Sequence, residues 1–185
     1  LTLGWKDTGT LDDNGNMLVA DTLLQVLLDG TQRELWDVTQ VIPEYAYSEF
    51  TFGDEDFTDI SHANHISIGF EEDDPSQSFV LITLNEQNAI VKLSLQGEGN
   101  QLEATTSWII GCGEITPDGS DLSITDYNTS DDIKMIADPH SAFITGKEDG
   151  KETILVFNRN TFRGEGPNEA IEILLDLENS SSEQV

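Results

Sequence analysis

The chain is short of positive charge, of cysteine and of long apolar runs, and each shortage removes a class of function. Only 8 Lys and Arg stand against 36 Asp and Glu in 185 residues, a formal charge of −28. Such a surface repels phosphate backbones and anionic lipids, so no nucleic-acid partner and no membrane insertion are expected. Cys112 is the single cysteine, which leaves no intrachain disulfide to form. A lone thiol without a partner motif reads as a small buried apolar residue. No apolar run approaches the roughly 20 residues that a membrane helix needs, and no basic leader precedes an apolar segment. A targeting signal is therefore expected to have been removed or to lie outside these residues. A glycine-rich phosphate loop, a serine-centred elbow and a Cys/His zinc pattern are missing too.

What is present is dispersed acid and short apolar runs. Asp54-Glu55-Asp56, Glu71-Glu72-Asp73-Asp74 and Asp131-Asp132 each sit between apolar stretches, as solvated loops of a folded protein do. Excess acid with scarce Lys suits a protein kept soluble at high ionic strength, where screening relieves self-repulsion. The expected setting is secreted or periplasmic, and saline. Asp12-x-Asn14-x-Asn16 imitates the start of a calcium loop but lacks its glycine and distal glutamate, so it reads as a hairpin turn. No cofactor is expected beyond calcium held by the acidic loops. Asn128-Thr129-Ser130 and Asn179-Ser180-Ser181 match a glycosylation sequon, which has meaning only in a eukaryotic secretory pathway.

Helical periodicity is almost missing, whereas β-branched and aliphatic runs recur between Gly, Asn and Asp turns, the pattern of an all-β chain. Three units align: Met17 to Asp21 with Leu23 to Leu28, Phe79 to Thr83 with Ala89 to Leu93, and Thr153 to Phe157 with Ala170 to Leu175. Each reads as a hairpin. An upstream strand precedes each one, and in the first two units a later strand ends in Trp36 or Trp108. Four-stranded antiparallel units in series predict a β-propeller of about three blades, over residues 1–40, 57–112 and 136–178, with 179–185 a loose polar tail. Three blades leave open faces and edges, so the remaining blades are expected from the same chain or another.

The first strand of a blade lines the central channel, and its first residues meet ligands. His62-Ala63-Asn64-His65 opens that strand in the second unit, and His140-Ser141-Ala142 opens it in the third. Strand alternation places His62 and Asn64 on one face and His65, read as a packed residue, on the other.

These features resemble the bacterial arylsulfotransferases, six-bladed propellers that move a sulfuryl group between phenols. The resemblance lies in Asp59-Ile60-Ser61-His62-Ala63-Asn64, in Val80 through Leu93, in Trp108-Ile109-Ile110-Gly111, and in Pro139-His140 followed by Ile154-Leu155-Val156-Phe157-Asn158. It implies that His140 takes the sulfuryl group as a sulfohistidine, with His62 and Asn64 binding sulfate oxygens or moving a proton. Aryl sulfate and phenol would be the partners. A neutral imidazole is a good nucleophile near pH 7, and its sulfurylated cation a good leaving group. Where the family has a Ser-Arg pair after the second strand of this blade, the chain reads Leu84-Asn85, a neutral hydrogen bond in place of an ionic one of about twice the strength. Arg159 and Arg163, beyond the third unit's second strand, would supply the cation if that loop folds over the channel. The alternative is a non-catalytic extracellular propeller that serves as a binding or assembly module.

Overall fold

The computed structural model describes residues 1–12, 14–41, 57–71, 77–85, 87–111, 128–129, 136, 139–159, 168–176 and 181–184. They form an all-β structure of three antiparallel sheets. The first holds β1 (Thr2–Leu11), β2 (Met17–Val26) and β3 (Gln32–Asp37) in that order, and the short β4 (Phe57–Asp59) runs parallel to the start of β2. The second is a four-stranded meander of β5 (Ala63–Phe70), β6 (Ser78–Leu84), β7 (Ala89–Gln96) and β8 (Glu103–Gly111). In the third, β10 (Pro139–Glu148), β11 (Lys151–Asn158), β12 (Glu169–Asp176) and β13 (Ser181–Gln184) follow one another, and β9 (Asn128–Thr129) lies parallel to β13 at the edge.

Two expectations change. Met17–Val26 is one ten-residue strand and not a hairpin broken at Thr22. Asp21 and Thr22 pair directly with Trp5 and Gly4; the segment has no Gly, Pro or Asn to make a turn. The tail is also shorter than expected, because Ser181–Gln184 pairs antiparallel with Ile173 to Asp176 as a fourth strand. Backbone pairing along an open edge needs no apolar side chains, so polar composition alone does not predict a loose end. Cys112 and the acidic groups at 54–56, 72–74 and 131–132 lie outside the described residues.

Strand alternation makes the second sheet two-faced. Val80, Ile82, Leu84, Ala89, Val91, Leu93 and Ile109 pack with Leu18, Ala20, Leu23 and Trp36 of the first sheet. The intervening Phe79, Leu81, Ile90, Trp108 and Ile110 pack with Ala142, Ile154, Val156, Ile171, Ile173 and Leu175 of the third. A sheet covered on both faces needs near-continuous apolar strands, which explains why β6 and β7 read as unbroken Val, Leu and Ile runs.

One cation interrupts β7. Lys92 is 3 % exposed, and its ammonium bonds Glu152 of β11 and, at 2.8 Å, Glu71 at the end of β5. It also lies 4.6 Å from the centre of the Phe79 ring. The Trp108 indole donates to the second Glu152 oxygen at 3.0 Å, and Lys147 of β10 closes the network on Glu71 at 3.0 Å. Charges this deeply desolvated are tolerable only when every partner is met.

The same contacts fix how β5 and β10 run. His65 meets Phe143, Ser67 donates to the Ala142 carbonyl, and Glu71 pairs with Lys147. From His65 opposite Phe143 to Glu71 opposite Lys147 the numbers rise on both strands, so the first strands of the second and third sheets run in broadly the same sense. Their starting ends therefore share one end of the structure.

Lys92→Met strands the buried Glu152 carboxylate and leaves the part-buried Glu71 with Lys147 alone, and is expected to cost about 3–5 kcal/mol in chemical unfolding, whereas Lys92→Met with Glu152→Leu recovers most of that loss. Equal losses in the single and double variants would contradict a coupled network.

Candidate functional site

At the start of β5, Ala63 pairs with Leu84 and His65 with Thr83, which leaves Asn64 as an additional, unpaired residue. At the start of β10, Pro139 pairs with Asn158 and Ser141 with Phe157, which leaves His140 in that role. Both are β-bulges, devices that re-aim side chains at strand ends. Superposing them makes His140 the counterpart of Asn64, and Arg159 the counterpart of Asn85. Ile60 and Ile136, four residues before each bulge, support this alignment, since each is buried in the core on its own side of the second sheet.

The registers correct two sequence readings. His62 and His140 are not equivalent positions; they differ by two residues in the repeat. Alternation from His62 to His65 does not hold either, because His62 precedes the strand with φ 45° and the bulge follows it. His65 is thereby turned toward the third sheet, its ring 5.0 Å from Phe143 in an edge-on contact.

His62 sits in a loop organised by two buried aspartates. Asp59 accepts from the Ser61 and His62 backbone N–H groups, at 3.2 and 2.9 Å, and its second oxygen lies 3.1 Å from His62 Nδ1. Asp21 accepts from Ser61 Oγ and the Ala63 N–H, both at 2.7 Å. The Gln87 amide donates to the Ile60 carbonyl, and the Asn85 N–H donates to the His62 carbonyl at 3.2 Å. Asp59 thus orients the ring as carboxylates orient catalytic imidazoles, and favours the tautomer with the proton on Nδ1. Burial pushes the Asp21 carboxyl above its ordinary 3.8, opposed by the Ala63 and Ser61 hydrogen bonds.

His140 lies in the neighbouring sheet with Arg159 Nη1 3.3 Å from its Nε2. A guanidinium can only donate, so Nε2 of His140 is the acceptor in this contact. His65 is held below the ordinary imidazole value of 6.5, first by burial and then by the nearby His140. Two groups result: His65, His140 and Arg159 between the second and third sheets, and His62, Asn85, Asp21 and Asp59 between the first and second. Asn64 forms the bulge between them. Arg163 lies outside the described residues.

Sequence reasoning missed Asp21, Asp59, Ser61, Thr83, Gln87 and His65 as members. The Asp59-x-x-His62 spacing could have signalled the first pair; the role of His65 depends on a bulge that leaves no trace in composition. The Asp12 turn closes on itself, with its carboxylate accepting from the Asn14 and Asn16 backbone and from Thr58. Among the described residues no group of three His, Cys, Asp or Glu is placed to hold a metal ion, and no helix is long and apolar enough to cross a membrane.

No protein-family model matches the chain, and neither the curated proteins nor the solved structures contain a match to it.

A raised folded-state value means that ionised Asp21 opposes folding above that value, and that its relative contribution is favourable only toward pH 3.8 and below. Asp21→Asn keeps an acceptor for Ser61 and Ala63. Its stability relative to the parent, from urea midpoints, should rise with pH through the folded value and level off at neutral pH. A variant more than about 1 kcal/mol less stable than the parent at pH 7 would contradict this.

Proposed function

We propose that this chain is part of a β-propeller of the arylsulfotransferase type, and that His140 carries a sulfuryl group from an aryl sulfate to a phenol. The observation that carries the reading is the Arg159 guanidinium beside His140 Nε2. The cation lacking at Asn85 stands at the corresponding position one sheet further on.

The arrangement supports each step. Once the Arg159 hydrogen bond to it opens, the His140 Nε2 lone pair attacks sulfur, the bond from sulfur to the aryl oxygen breaks, and the phenolate leaves. Arg159, already at Nε2, would then face the sulfuryl oxygens, where a fixed cation stabilises developing charge. His62, its Nδ1 proton held by Asp59, would act as the imidazolium and give its Nε2 proton to the departing oxygen, and Asn64 and Asn85 would hold sulfate oxygens. No cofactor enters these steps, and calcium in the acidic loops would be structural.

Three sheets stacked face on face, with two first strands in the same sense, support the propeller. Leu155 and Phe157 are exposed on the outer face of the third sheet, where the next blade, from the same chain or another, would pack. A secreted or periplasmic, saline setting goes with this reading. The charge of −28 favours one other reading, a binding module without chemistry, because it repels anionic substrates.

A chromogenic aryl sulfate with a phenol acceptor separates the two. Transfer is expected in the parent, with Arg159→Gln about 10²–10³-fold slower and His140→Ala without measurable turnover. Undiminished turnover in His140→Ala would refute the assignment, and no turnover in the parent would favour the binding module.

A further inference from the structure

The structure leaves two polar atoms buried where β5 and β6 face the third sheet. Thr83 is fully buried, and neither its Oγ1 nor His65 Nε2 has a hydrogen-bond partner among the described residues. The two are directly paired across the strands. A buried hydroxyl and a buried ring nitrogen both lose hydration without compensation, and paired orphans of this kind need an explanation. Val would fill the Thr83 position at similar volume, and Leu or Phe would suit that of His65.

The surroundings define what would satisfy them. The Phe143 ring stands edge-on to His65, and His140, at the bulge that opens the same strand as Phe143, is near enough to His65 to act on its ring. The Arg159 guanidinium stands at His140. A neutral acceptor, a neutral hydroxyl and an aromatic wall beside a cation match a hydroxyl carried on an aromatic ring.

We infer that His65 and Thr83 form the acceptor subsite, binding the hydroxyl of the incoming phenol beside His140. This rests on the sulfuryl-transfer reading and adds residues that reading does not use. The phenol O–H donates to His65 Nε2, and the phenol oxygen accepts from the Thr83 hydroxyl. As the oxygen attacks sulfur, its proton passes to His65, the N–S bond breaks, and the electron pair returns to His140 Nε2. The His65 imidazolium then releases its proton to water. Burial, and then the neighbouring His140, push His65 below its ordinary 6.5, toward the neutral form this step requires.

The experiment measures the two half-reactions separately. Single-turnover release of the chromogenic phenol, with the mass gain of one sulfuryl group on the His140 peptide, reports the donor half. Acceptor-dependent turnover reports the other. In His65→Leu and His65→Gln the donor half is expected to stay within about twofold of the parent, while kcat/KM for the acceptor falls about 10²-fold or more. Thr83→Val, nearly isosteric and relieved of a buried orphan hydroxyl, folds at least as well and loses about tenfold on the acceptor alone. Acceptor kinetics unchanged in Thr83→Val and His65→Gln, or equal losses in both halves, overturn the subsite. Failure of the parent to sulfurylate His140 would instead overturn the reading beneath it.

Discussion

The second sheet is buried on both faces, and nearly every other feature of this chain follows from that. A sheet in this position can tolerate polar groups only where partners on the neighbouring sheet meet them. Lys92 is the clearest instance, since its charge is answered by Glu152 from the third sheet and by Glu71 from its own. Hydrophobic contacts are non-directional and would allow the sheets to slide. The bonds from Lys92 and Trp108 to one carboxylate are directional and allow a single register.

That register positions the chemistry. Once Glu71 and Lys147 are paired at one end of β5 and β10, the other ends of these strands are brought together, with His65 opposite Phe143. The bulges act on this fixed frame. Each adds one residue at the starting end, and in the third sheet that residue is His140. A histidine at a regularly paired position would have its face fixed by alternation, whereas at the bulge it reaches Arg159. On the other side of the second sheet, Asp21 and Asp59 tie the loop before β5 to β2, so His62 too is held from a neighbouring sheet.

The sequence displayed what depends on alternation and on turn residues, and concealed what depends on register. The apolar runs of β6, β7 and β11 and the Asn14-Gly15 and Asp29-Gly30 turns mark strands and hairpins directly. The division of β2 at Thr22 went wrong because Asp21 reads as a turn residue when its carboxylate is in fact bound to Ser61 and Ala63 across the sheet. The equivalence of His62 and His140 failed for a related reason. Matching histidines by residue type ignores register: the bulged position that His140 holds is Asn64 in the second sheet, two residues beyond His62. His65 was set aside on an alternation that the bulge cancels.

The use of cations ties the acidic composition to the site. In a chain with 8 basic residues each placement carries weight. Lys6 serves Glu34 and Asp37, Lys92 and Lys147 serve the network between sheets, and Lys151 lies 3.6 Å from Asp176. Arg33 ties the first sheet to the second through the Asn100 and Leu102 carbonyls. These cations hold strands and sheets in register. Arg159 differs in standing at a histidine, on the segment that leaves β11 beside the first strand of its own sheet. Long-range repulsion of anions by the acidic surface is weakened by salt within about 10 Å, whereas a guanidinium in direct contact is screened far less. High ionic strength would therefore suppress the repulsion and spare the contact, which makes the acid excess compatible with an anion site at this point in the fold.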